Sequence, residues 1–112
     1  MSQITTHILD TSLGKPAAGV SIHLQKPEAE GWVNLASGIT NLDGRIPDLL
    51  AKDEILPPGN YSMLFEVAPY FENLQLKSFY PKIRIEFRVT DGSHYHIPLL
   101  LNPFGYSTYR GS

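Results

Sequence analysis

The histidines are the groups in this sequence most able to do acid–base work near neutral pH, and the chain has four of them. His94 and His96 stand two apart on one expected strand and so share a face. Such a pair can bind zinc if a third ligand converges, but no cysteine or clustered carboxylate lies nearby in the sequence. A general base and a solvated polar face fit the pair equally well. His7 lies between Thr6 and Ile8, on the face that alternation gives to Thr5 and Leu9. Taken alone, it fits a partly exposed strand residue satisfied by a neighbour better than a proton carrier. His23 falls on the polar side of its strand and is given no role. Arg45, directly after Asn41-Leu42-Asp43-Gly44, and Arg110 could hold an anion or a developing oxyanion. A solvated arginine is the commoner fate of each. Ser112 offers a hydroxyl but lacks the glycine-flanked elbow of an activated nucleophile.

These groups need elements to hold them. The stretch His94 to Ser112, HYHIPLLLNPFGYSTYRGS, carries two of the histidines, a proline-interrupted apolar strand, a turn and an aromatic strand. Its aromatic and cationic ending, Tyr109-Arg110-Gly111-Ser112, suggests a segment that is placed and used. Strict alternation marks strands at Val20–Gln25, Tyr61–Val67 and Ile83–Val89. Ile4–Leu9, Trp32–Thr40, Tyr95–Leu101 and Tyr106–Arg110 read as further strands. Asp43-Gly44 and Pro58-Gly59 supply turn chemistry. Ile46–Leu56, cut by prolines, reads as a short strand and loop. Pro69–Leu76 is the one helical candidate. Pro98 lies inside a strand, where an edge or a bulge is expected. About eight short strands with one short helix indicate an all-β, antiparallel two-sheet sandwich or small barrel.

Composition excludes several function classes. A chain of 112 residues is expected to form a single domain spanning 1–112. It is 42% hydrophobic with a net charge of -2, and its charges are scattered without a basic stripe, so no nucleic acid is expected. No apolar run approaches the roughly 20 residues of a membrane helix. The first residues lack a secretion pattern and the last three are not a peroxisomal signal, so a cytoplasmic location is expected. With no cysteine, thiol catalysis and disulfide scaffolds are ruled out.

Three segments resemble one family along essentially the whole chain. They are Thr6-His7-Ile8-Leu9-Asp10 with Gly14-Lys15-Pro16-Ala17, then Thr40 to Arg45, then Tyr95-His96-Ile97-Pro98-Leu99-Leu100 leading to Tyr106 to Ser112. The sequence resembles the transthyretin-like family, and within it the 5-hydroxyisourate hydrolases. The ending Tyr-Arg-Gly-Ser separates those hydrolases from the hormone carriers. The resemblance implies a transthyretin-like two-sheet sandwich with one short helix, assembled as a homotetramer, a dimer of dimers, with sites in the channel between dimers. It implies hydrolysis of the small-molecule substrate 5-hydroxyisourate without metal or organic cofactor. His7, Arg45, His96 and Ser112 would be catalytic, and Tyr109, Arg110 and Gly111 would join them in binding substrate. His94 is not part of the family pattern. Packing of Leu99 and Leu101, or of the Tyr106/Thr108 face, on a second subunit would account for so apolar an ending. The alternative is a carrier that binds a small ligand in the same channel without chemistry.

Overall fold

Alternation of apolar and polar residues sorts the side chains into two faces, and two sheets result. The computed structural model describes residues 2–112. Along β1 (Ile4–Asp10), Ile4, Thr6, Ile8 and Asp10 are buried while Thr5, His7 and Leu9 are half-buried. The same logic shapes β3 (Ser21–Glu28), where Ile22 and Leu24 turn inward, and β7 (Tyr95–Asn102), where Tyr95, Ile97, Leu99 and Leu101 do. The remaining strands are β2 (Lys15–Pro16), β4 (Gly31–Ile39), β5 (Gly59–Glu66), β6 (Ile83–Val89) and β8 (Gly105–Thr108). One sheet has the order β2-β1-β7-β8 and the other β4-β3-β5-β6. Their inner faces enclose one core that includes Ile8, Ile22, Leu24, Met63, Phe65 and Leu99. Each large side chain so buried contributes about 1.5–3 kcal/mol. The one helix among the described residues, α1 (Ala68–Asn73), begins with a proline in its first turn and buries Phe71. Its Tyr70 hydroxyl donates 2.6 Å to Asp10 Oδ2, which ties the helix to the end of β1. That helix is too short and too polar to cross a membrane.

Four differences from the sequence expectation bear on the site. The sandwich is not antiparallel throughout: β1 and β7 pair in parallel, with Thr5 opposite His96 and His7 opposite Pro98. Alternation fixes which face a residue takes but not which way a strand runs. Here the chain crosses the whole second sheet between the two strands, so no hairpin forces them antiparallel. Residues 46–56 form no strand. They make a loop that buries Leu49, Leu50 and Leu56 and whose amides are taken up by polar side chains: Leu50 N–H donates to Ser2 Oγ, and Leu56 N–H to Gln3 Oε1. The helix stops at Asn73, short of Leu76, and Gln75 takes a positive φ of 59°. Leu99 and Leu101 are 0% and 1% exposed within their own chain, so they are not the apolar surface that a second subunit would cover.

Pro98, expected at an edge or a bulge, lies in a central strand, paired with His7 of β1 without a bulge, and it is the ladder to β8 that breaks there. Its carbonyl faces β8, accepting from the Thr108 hydroxyl at 2.6 Å. A proline there cannot donate back. The β8 ladder accordingly stops at Leu99–Thr108, and the chain rejoins β7 where Gly111 N–H donates to His96 O at 2.9 Å. Tyr109 and Arg110 bridge the gap, so the last expected strand ends at Thr108 instead of Arg110.

Candidate active site

The outer face of the β2-β1-β7-β8 sheet carries the polar residues that alternation excludes from the core. Thr5 and His7 of β1 stand beside His96 and Pro98 of β7 in parallel register. Two other segments flank them. The turn at Asn41–Arg45 folds onto the free edge of β1, where Arg45 bridges to His7 and Ile8 N–H donates to Gly44 O at 3.0 Å. Asn41 builds that turn, its Oδ1 accepting from Asp43 N–H at 2.9 Å and Arg45 N–H at 3.1 Å. Gly44 has φ +73°, and a Cβ on it would lie 2.6 Å from Ile8 O. Only glycine combines that conformation with so close an approach. On the far side, residues 109–112 run along β7. Together these segments line an open cavity of about 470 Å³, whose wall includes Thr5, Thr6, His7, Arg45, Ile46, Pro47, His94, His96, Pro98, Tyr109, Gly111 and Ser112.

His7, Arg45, His96 and Ser112 are therefore brought together, and Tyr109 and Gly111 share the cavity wall. Arg110 is not brought there. Its guanidinium lies over the Tyr95 ring at 4.5 Å, in the adjoining cleft on the β6 side. The side chains of neighbouring residues in an extended stretch point opposite ways, so Tyr109 and Arg110 cannot both face the cavity. His23 lies on the other sheet, bonded to Ser37 and Glu66.

Six wall residues lie outside the expected set, Thr5, Thr6, Ile46, Pro47, His94 and Pro98, and two of these, Thr5 and His94, bear directly on His96. The Thr5 hydroxyl is 2.7 Å from His94 Nε2 and 2.8 Å from His96 Nδ1. The i, i+2 spacing of the histidines was the visible signal. Their hydrogen-bond partner, on a strand 89 residues earlier, was not visible from sequence.

The surroundings of His7 and His96 favour the neutral imidazole over the imidazolium. Burial, with the Arg45 guanidinium and the His94 and His7 rings close by, holds His96 below the usual histidine range. Burial and the Arg45 charge do the same to His7, partly offset by the Asp43 carbonyl and carboxylate. Neutral imidazoles can accept a proton at pH 7, while Arg45 remains a cation beside them. Such a cavity can hold a polar or anionic molecule and move protons at it. Among the described residues no group of three or more histidine, aspartate or glutamate side chains is placed to hold a metal ion.

Gly111 is a close neighbour of His96: a Cβ at this position would overlap His96 Cδ2. Gly111→Ala is expected to displace the ring or the 109–112 stretch. Misplacement on the ångström scale costs roughly a hundredfold in rate, whereas thermal unfolding should shift little at so peripheral a site. Parallel kinetics and melting curves of the variant test this.

The chain matches the model of the HIUase/Transthyretin family over residues 4–111. It is 44% identical over 110 residues to the 5-hydroxyisourate hydrolase of Salmonella dublin, covering 97% of this chain and 80% of that protein. The structure of Klebsiella pneumoniae 5-hydroxyisourate hydrolase superimposes with a TM-score of 0.84 at 38% identity, over 97% of this chain and 92% of that one. Sea bream transthyretin in complex with thyroxine gives a TM-score of 0.89 at 29% identity, covering 98% and 95%.

Proposed function

Because the chain belongs to the HIUase/Transthyretin family, we propose that it hydrolyses 5-hydroxyisourate to 2-oxo-4-hydroxy-4-carboxy-5-ureidoimidazoline, a step of urate degradation. The observation that carries this reading is the convergence of His7, Arg45 and His96 on one open cavity. The reaction opens a cyclic amide with water. One neutral histidine takes a proton from the attacking water. Arg45 stabilises the charge that builds on the attacked carbonyl oxygen. A histidine N–H then supplies the proton that the departing ring nitrogen needs, and the proton taken from the water makes up for it. Ser112, Tyr109 and Gly111 shape the wall against which the ring lies, and Arg110 holds the segment in place through Tyr95. The chemistry is metal-independent: each step is within reach of imidazole and guanidinium, and the facing nitrogens of His94 and His96 are spent on the Thr5 hydroxyl.

The protein acts as a homotetramer in the cytoplasm. Exposed Phe79, Tyr80 and Tyr106 pack edge to face into an aromatic patch that a second copy would cover, and the cavity opens on an outer sheet face where another dimer would exclude water. The absence of cysteine is in keeping with a reducing compartment. Light-scattering mass in solution tests the assembly.

Turnover of 5-hydroxyisourate in heavy-oxygen water tests the reaction itself. The label should enter the new carboxylate at the enzyme-catalysed rate. A carrier, the second reading, would bind an iodinated phenol saturably and leave the substrate's decay unchanged. The pH profile gives a further check. Both histidines are held below their usual 6.5, so their neutral forms persist as pH falls through that value. Here kcat/KM should be flat from neutral pH down to about 6.5 and fall only below it. An acid limb centred above 6.5 would contradict the assignment of the base.

A further inference from the structure

We propose that His94, acting through the Thr5 hydroxyl, sets which nitrogen of His96 carries the proton and receives the proton that His96 takes from water. The proposal deepens the hydrolase reading and rests on it for its kinetic part. It starts from a constraint of counting. A hydroxyl has one proton to give, yet Thr5 Oγ1 lies between two imidazole nitrogens at 2.7 and 2.8 Å. It must donate to one and accept from the other. The two rings are therefore coupled: if Thr5 donates to His94 Nε2, then His96 carries its proton on Nδ1. His96 Nε2 then presents a lone pair. That nitrogen has no hydrogen-bond partner and is not sealed from solvent. If His94 is protonated, its Nε2–H donates to Thr5, Thr5 donates to His96 Nδ1, and His96 carries its proton on Nε2.

The two arrangements are those of a base and of a proton donor. In the first, His96 Nε2 takes a proton from water as the water oxygen bonds to the substrate carbonyl. The Nδ1 proton then passes to Thr5 Oγ1, and the Thr5 proton passes to His94 Nε2. His96 is left neutral, with its proton on Nε2 beside the substrate. When the ring C–N bond breaks, the leaving nitrogen takes that proton. His94 returns its own through Thr5 to His96 Nδ1, and the resting state is restored. No group is consumed.

Charge explains why the shift is favourable. An imidazolium at His96 sits half-buried with Arg45 and His7 close by. His94 is exposed at the cavity mouth, where water solvates the cation. The ring planes are inclined by only 27° with centroids 6.2 Å apart, so the rings lie side by side with Thr5 between them. The titratable groups around His96 are His7 on β1, Arg45 on the turn, His94 just ahead of β7 and Tyr109 on the closing stretch, with Asp43 close to His7. His94 and Thr5 are thus positioning residues, since neither touches the reacting atoms.

The experiment combines imidazole nitrogen NMR with steady-state kinetics on the full chain and on Thr5→Val, His94→Ala and Thr5→Ser. At a pH where all histidines are neutral, the wild type and Thr5→Ser should hold His96 with its proton on Nδ1. Thr5→Val and His94→Ala should leave a mixture of tautomers. In both, kcat should fall on the order of tenfold with KM little changed, as when a partner that fixes a histidine's tautomer is removed. The acid limb of kcat should also move, and Thr5→Ser should restore it. An unchanged His96 tautomer in Thr5→Val and His94→Ala overturns the proposal, as does an unchanged kcat in both. The NMR readout needs no turnover: a tautomer shift in a protein that does not hydrolyse 5-hydroxyisourate supports the coupling and overturns the hydrolase reading instead.

Discussion

Changing His96 to alanine is expected to lower kcat for 5-hydroxyisourate by about 10²–10⁴-fold, the usual contribution of a positioned acid–base group. The fold should survive, because the core is built from the opposite face of β7, where Ile97, Leu99 and Leu101 are buried. The ring itself makes one side-chain hydrogen bond, to Thr5. The main-chain link that holds residues 109–112 uses the His96 carbonyl, which alanine keeps. The loss should therefore fall on kcat, with far-ultraviolet dichroism and melting close to wild type. A variant that keeps kcat within about threefold of wild type would remove His96 from the proton chemistry, since general acid–base catalysis at this scale could not be lost unnoticed.

The second large effect concerns Arg45 and the turn that presents it. Arg45→Ala should cost roughly 10²–10³ in kcat, as when one donor to a developing oxyanion is removed. Arg45→Lys should recover little of it, because a point charge does not replace a planar fork of donors. Gly44→Ala should approach the Arg45→Ala defect while leaving the guanidinium in the sequence. Its Cβ would meet the Ile8 carbonyl at 2.6 Å, with a backbone conformation that costs on the order of 1–3 kcal/mol for an L-residue. The turn must then lift from the β1 edge and carry Arg45 away from His7. Arg45→Ala and Gly44→Ala separate by stability: Arg45→Ala should melt near wild type, and Gly44→Ala should melt several degrees lower. Wild-type turnover from Gly44→Ala would show that the turn does not position Arg45.

The sequence carried the faces of the strands more clearly than their partners. Period-two alternation alone puts His7 with Thr5 and His96 with His94, and the structure keeps both pairings of face. Direction is another matter. Nothing in the apolar pattern says that β1 and β7 run in parallel, yet that register sets Thr5 against His96. Arg45 reached the site through a turn whose Asn and Gly were legible as turn residues, although the edge on which it docks was not. Pro98, expected at an edge or a bulge, sits in the central strand β7 paired with His7, and it ends the ladder to β8. Its consequence, that Tyr109 turns to the cavity and Arg110 to Tyr95, depends on packing between segments and could not be read locally. His94 was set aside because the family pattern lacks it. Its place in the cavity wall and the hydroxyl of Thr5 that it shares with His96 show that it belongs to this cavity.

The most direct test is the decay of 5-hydroxyisourate itself. The compound is generated in place from urate by urate oxidase, and its ultraviolet absorbance is followed with increasing amounts of wild-type protein and of His96→Ala. The expected result is a decay rate that rises in proportion to wild-type protein and stays near the spontaneous rate with His96→Ala. Decay no faster than spontaneous, from wild-type protein shown to be folded, would contradict the hydrolase reading and leave the cavity as a binding site.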